Sequence, residues 1–152
     1  MRNRYLGNKA EIRALNTYVK LMRAAESATT RIHRHLASTG LTISQFAVLE
    51  ALYHIGPLSQ REIGKKILRS SGNITMVIDN LEKRGLVRRE RFEADRRFYI
   101  VHLTDKGYHL INKLFPLHAS LIAKDLGVLT AAEQDALGRL CKKLGLREQS
   151  KD

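Results

Sequence analysis

The residues with the clearest chemical potential lie between Ser70 and Leu103. Five arginines, Arg88, Arg89, Arg91, Arg96 and Arg97, fall within one short segment that holds no lysine. A guanidinium grips phosphate bidentately and enters the electronegative minor groove more readily than a strongly hydrated ammonium does. Just upstream stand Asn73, Thr75, Met76, Asp79, Asn80 and Lys83. Their amides, hydroxyl, carboxylate and ammonium suit hydrogen bonding to base edges, and Met76 suits a thymine methyl, with surface filler as its bland alternative. Arg69, Ser70 and Ser71, in the turn ILRSSG, offer hydroxyls and backbone N–H groups at a helix start, a natural phosphate site. Asp95 is out of place among these cations. A charge-assisted bond that fixes a neighbouring arginine, Arg97 above all, accounts for it, and an Asx turn is compatible with the same role. This is the chemistry of reading duplex nucleic acid.

The elements that must position these groups follow from periodicity. Ile74, Val77, Ile78 and Leu81 recur at i, i+3, i+4 and i+7, which predicts a helix capped by Ser70 or Ser71 and stopped at Gly85. Beyond it, 86–92 and 97–103 read as two strands joined by a polar turn over 93–96, a hairpin loaded with arginine. Ahead of it, two capping-box signatures, Thr42-Ile43-Ser44-Gln45 and Ser59-Gln60-Arg61-Glu62, open two helices. The first carries Phe46, Leu49 and Leu52 or Tyr53 inward, and the second carries Ile63 and Ile67. Two short helices, a tight turn, a polar recognition face and a basic hairpin make a winged helix-turn-helix. Glu82 and Arg84 read as supports of the helix, and Arg88 and Arg89 as backbone contacts near the base of the wing.

Long helices flank this lobe. Residues 9–37 contain no Gly or Pro, and Ile12, Leu15, Val19, Met22, Ile32 and Leu36 give them an apolar stripe. So long a helix at the start of a short domain favours pairing with a second copy of the chain. Thr104 caps a helix that continues to about Leu126, which Pro116 is expected to kink or split. The box Thr130-Ala131-Ala132-Glu133 begins a last helix with Leu137, Leu140 and Leu144 inward and Gly145 as its stop, and the tail REQSKD is expected to fray. The expected organisation is one domain in three parts: 1–40 for dimerisation, 41–103 as the DNA-binding lobe and 104–152 again for dimerisation. The fold class is mainly α with a small β-hairpin wing.

Composition agrees. The 152 residues carry 27 Lys+Arg against 15 Asp+Glu, a net charge of +12, and eight of the basic residues fall in 1–40 against two acidic ones. Such an excess points to nucleic acid, an anionic surface or solubility alone. No apolar run has membrane-spanning length and no signal segment opens the chain, so a cytoplasmic protein without a membrane partner is expected. The single Cys141 excludes an intrachain disulfide framework and a cysteine-rich zinc site. Lys142 and Lys143 would lower its pKa, but an exposed bystander or small buried hydrophobe is the simpler reading. His33 and His35, two apart, do not share a helix face and read as solvated side chains. No metal motif, phosphate loop or nucleophile–base pair stands out, so no catalytic residue and no cofactor is assigned.

The segment DRRFYIVHLTDKG, from Asp95 to Gly107, together with SGNITMVIDNLEKRGLVRR and LTISQFAVLEAL, resembles the MarR family of transcription regulators. The resemblance covers roughly 41–107 by motif and the ends by helix arrangement. It implies a homodimer whose first and last helices interlock, a recognition helix in the major groove and a wing arginine, Arg97, in the minor groove. It also implies repression of a pseudo-palindromic operator, with a small phenolic or lipophilic effector as a candidate partner near Tyr18, Tyr53, His54, Tyr108 or Phe115. The peroxide-sensing branch uses a cysteine in the first helix, which this chain lacks. The alternative is a winged-helix interaction module that binds protein without reading DNA.

Overall fold

A computed structural model describes residues 5–67 and 73–146. In chain order it contains α1 (Lys9–His33), a 3-10 turn (Arg34–Thr39), α2 (Ile43–Ile55), β1 (Leu58–Ser59), α3 (Gln60–Lys66) and α4 (Ile74–Lys83). These are followed by β2 (Val87–Arg91), β3 (Tyr99–Leu103), α5 (Asp105–Leu126) and α6 (Ala131–Gly145). Local signals set most helix starts. Thr42, Ser59 and Thr130 each form the anticipated reciprocal capping box, with Gln45, Glu62 and Glu133 respectively. Asn8 and Glu11 form another at the start of α1. The serine cap expected for α4, with Arg69, Ser70 and Ser71, lies outside the described residues, as does the tail REQSKD.

The first helix stops at His33, short of the expected 37, although no Gly or Pro intervenes. Side chains compete there for the carbonyls that would extend it. The ring Nδ1 atoms of His33 and His35 bond the carbonyls of Thr29 and Ile32 at 2.9 and 2.8 Å. The hydroxyls of Ser38 and Thr39 donate to the carbonyls of His35 and Leu36, and Gly40 leaves the turn at φ 68°.

One hydrophobic core runs from Leu36 to Ile111. It joins Phe46, Val48, Leu49 and Leu52 of α2 to Ile63, Ile78, Leu81, Leu86, Val87 and Val101. The strands form an antiparallel sheet of order β1-β3-β2. The two-residue β1, which pairs Leu58 with Val101 and Ser59 with Ile100, adds to the expected hairpin. Behind the wing, the Thr104 hydroxyl donates to the Gly85 carbonyl at 2.6 Å while accepting from the Gly107 N–H at 3.0 Å. A Cβ at Gly107 would lie 2.0 Å from the Leu86 carbonyl oxygen. The closing L-T-D-K-G therefore locks α5 onto the end of α4 at a spacing only glycine permits.

Of the two outcomes expected at Pro116, a split does not occur: α5 runs through it as one helix, with Ile111 and His118 buried on either side. A further expectation is corrected. Leu137, Leu140 and Leu144 are exposed and not inward. The described part of α6 buries no residue, and neither does α1, where Leu15, Tyr18, Val19 and Met22 are exposed at i, i+3, i+4 and i+7. Both helices turn an apolar face to solvent that nothing among the described residues covers.

Candidate nucleic-acid interface

The face of α4 opposite Ile78 and Leu81 carries the expected polar set. Asn73 stands at the N-cap position but makes no capping bond, and its amide has no partner among the described residues. Met76 is 60% exposed, and Thr75, Asn80 and Lys83 are also exposed. Thr75 is not independent of α3: its hydroxyl oxygen accepts from the Gln60 amide at 2.5 Å. That bond leaves the Thr75 O–H to donate and joins the two helices of the motif. Arg84 sits off this surface, donating to the carbonyls of Gly40 and Thr39 at 3.1 and 3.2 Å. It fastens the end of α4 to the turn before α2, a supporting role of longer reach than expected.

At the wing tip Asp95 holds Arg97 as expected. One carboxylate oxygen accepts from the Arg97 N–H and Nε, both at 3.1 Å, and the other from a terminal guanidinium nitrogen at 2.9 Å. Those bonds keep the Asp95 carboxyl below the usual carboxylate range and raise the Arg97 guanidinium further. The Arg97 side chain is 84% exposed, so the fork is oriented yet open. Arg96 is exposed beside it, without a partner among the described residues. Around them Phe92 and Phe98 extend the hairpin by a backbone bond, and Arg91 lies 5.7 Å from the ring centre of Tyr99.

The base of the wing departs from expectation. Arg88 and Arg89 point to opposite faces of β2, as adjacent strand residues must. Arg88 is exposed and pairs with Glu90, which also meets His102 at 3.2 Å. Arg89 is turned inward and occupied: its guanidinium donates to Asp79 at 2.5 Å and to Glu82 at 3.2 Å. The expectation that both grip DNA backbone therefore fails for Arg89, whose side chain is only 17% exposed.

The histidines also differ from the sequence reading. His33 and His35 are half-buried, not solvated, and their rings lie 5.2 Å from that of His118 beside Phe46. His118 is 3% exposed. Burial, then the nearby His33 and His35, push its pKa down to about 4. Among the described residues no group of three His, Cys, Asp or Glu could hold a metal ion. Cys141 is exposed. Tyr53 packs against both Tyr108 and Phe115, and Tyr18 lies on the exposed face of α1. Of the residues expected near an effector, His54 lines a cleft of about 540 Å³ between α1, α2 and the end of α3. Thr29, His33, Ser44, Glu50, Ala51 and Lys66 share that cleft.

A helix-turn-helix, an open polar recognition face and an arginine-tipped wing define a winged-helix protein that binds DNA. The MarR family model matches residues 41–98. YkoM of Bacillus subtilis, an HTH-type transcriptional regulator, is 41% identical over 143 residues, covering 93% of either chain. The protein belongs to the MarR family and is a transcription regulator rather than an enzyme. Among solved structures, the MarR family regulator Sco3205 of Streptomyces coelicolor in complex with DNA superposes with a TM-score of 0.81. It is 25% identical and covers 99% of this chain and 96% of its own. BpsR of Bordetella bronchiseptica, whose DNA binding is regulated by 6-hydroxynicotinic acid, gives 0.78 at 28% identity, covering 86% and 98%. No single helix among the described residues is long and apolar enough to cross a membrane.

Proposed function

We propose that the protein is a cytoplasmic homodimeric repressor of a pseudo-palindromic operator, released by a small aromatic ligand. The exposed, Asp95-held Arg97 is the observation that carries the DNA-binding half of this reading. A guanidinium fixed in direction at a hairpin tip suits insertion into a minor groove while α4 occupies the adjacent major groove. Asn73, Thr75, Met76, Asn80 and Lys83 read the bases. Ser70 and Ser71 meet the phosphates at the helix start, with Arg88 and Arg96 along the wing.

The exposed apolar faces of α1 and α6 support the dimer. Residues 1–40 and 104–152 supply the shared helical platform, and 41–103 supply the lobe it carries. Two lobes set half-site centres about 34–36 Å apart, one helical turn. The cleft beside His54 is of the size that small ligands fill. It opens between α1 of the platform and α2 and α3 of the lobe, so an occupant bears on the angle between them. Its polar groups, Glu50, Lys66, His33 and Ser44, suit a phenol or an aromatic acid.

The test titrates a fluorescent operator fragment with the protein, then with candidate phenols and aromatic acids. Release by one of them at constant protein concentration supports ligand control. Undiminished DNA binding across the series removes it and leaves DNA recognition standing.

A further inference from the structure

Arg89 is the one wing arginine turned away from solvent. The sheet order leaves β2 at an edge, with backbone donors that need cover. The Arg89 N–H, facing away from β3, donates to one Glu82 oxygen at 3.1 Å, and its guanidinium donates to the other at 3.2 Å. A second guanidinium nitrogen reaches Asp79 at 2.5 Å. Asp79 and Glu82 are three residues apart on α4 and therefore share a face, turned to the wing. Three hydrogen bonds thus join the recognition helix to the hairpin that carries Arg97 at its far end.

We propose that Arg89 is a positioning residue which, through Asp79 and Glu82, fixes the wing relative to the recognition helix. Helix and wing then address the major and minor grooves as one rigid body. The strut also offsets one of the two negative charges that Asp79 and Glu82 place on the helix that must approach phosphates. Without it, the hairpin is held to α4 at its base, by the apolar packing of Val87 and Val101 with Ile78 and Leu81, and its outer part with the tip arginine is freer to swing relative to the helix. A rigid presentation spares the ordering cost at binding, and that saving falls on the operator complex, where both elements dock in register. This inference rests on the proposed operator reading.

Charge makes the test decisive. Asp79→Ala/Glu82→Ala removes two negative charges from the DNA-facing helix and on electrostatics alone must tighten binding to every duplex. Arg89→Gln removes a positive charge and on the same ground must weaken it. The strut predicts instead that both variants lose operator affinity, on the order of tenfold, while the carboxylate variant binds random duplex no more weakly than wild type. It further predicts that Arg97→Ala costs much less in the Asp79→Ala/Glu82→Ala background than in wild type. Anisotropy titrations on operator and random duplex read all of these, with circular dichroism confirming the fold. Should Arg89→Gln not fold, the carboxylate variant and its cross with Arg97→Ala decide alone. Tighter operator binding by the carboxylate variant, or an undiminished effect of Arg97→Ala within it, overturns the strut. A wild type that does not distinguish operator from random duplex overturns the operator reading itself.

Discussion

His118 gives the fold a pH dependence that can be worked out in advance. The ring is buried against Phe46 beside His33 and His35, and its Nδ1 has no hydrogen-bond partner among the described residues. Its pKa falls from 6.5 to about 4. The unfolded chain therefore takes up a proton at this site as pH drops through about 6.5, while the folded chain resists until about 4. More protons on the unfolded state mean that stability rises with pH across that window and is lost as pH falls. Linkage gives a loss of about 2 kcal/mol between pH 7.5 and pH 5 and a plateau of about 3.4 kcal/mol below pH 4. The perturbation is His118→Leu, which fills the site without a titrating group. Urea unfolding at fixed protein concentration, at pH 7.5 and 5, measures both proteins. The variant should be nearly as stable as wild type at pH 7.5 and should lack that about 2 kcal/mol of acid sensitivity. Equal pH dependence in the two proteins would show that His118 does not carry it.

Other outcomes follow from single contacts. Gly107→Ala drives a methyl into the Leu86 carbonyl and should destabilise the chain by about 3 kcal/mol, read as a lowered denaturation midpoint. Leu137→Glu/Leu140→Glu places charge on the open face of α6 and should convert a dimer to monomer in sedimentation velocity while leaving helical content intact. An unchanged sedimentation coefficient would rule that face out of the interface. Arg97→Gln should make the salt dependence of operator binding shallower by about 0.9 in log–log slope if its guanidinium displaces one counterion. Asp95→Ala, which keeps Arg97 but frees it, should lower affinity without that change of slope.

What was legible in the sequence was local or periodic. Thr42, Ser59 and Thr130 announce helix starts because each finds its partner three residues on. The apolar spacing of α4 and the Asp95–Arg97 pairing likewise involve neighbours in the chain. What was not legible depends on distant partners. β1 is two residues long and exists only because Val101 and Ile100 pass beside it. His33 and His35 looked solvated because His118 and Phe46, which cover them, are remote in sequence. Leu137, Leu140 and Leu144 were read correctly as apolar, but the surface they face is not in their own core. Arg89 is a partial exception. Alternation along β2 separates Arg88 from Arg89, and Asp79 with Glu82 at i and i+3 offers a paired acceptor, so the signal for its inward role was present but had no stated target.

The central claim is that two arginine-tipped lobes read a two-fold DNA site. Selection of bound genomic fragments by the purified full-length chain, with footprinting of the winners, measures that most directly. The account predicts enrichment of a pseudo-palindrome with half-site centres one helical turn apart, protected over both halves, and loss of that enrichment with Arg97→Ala. Uniform recovery of fragments, with random duplex bound as tightly as any of them, would contradict it.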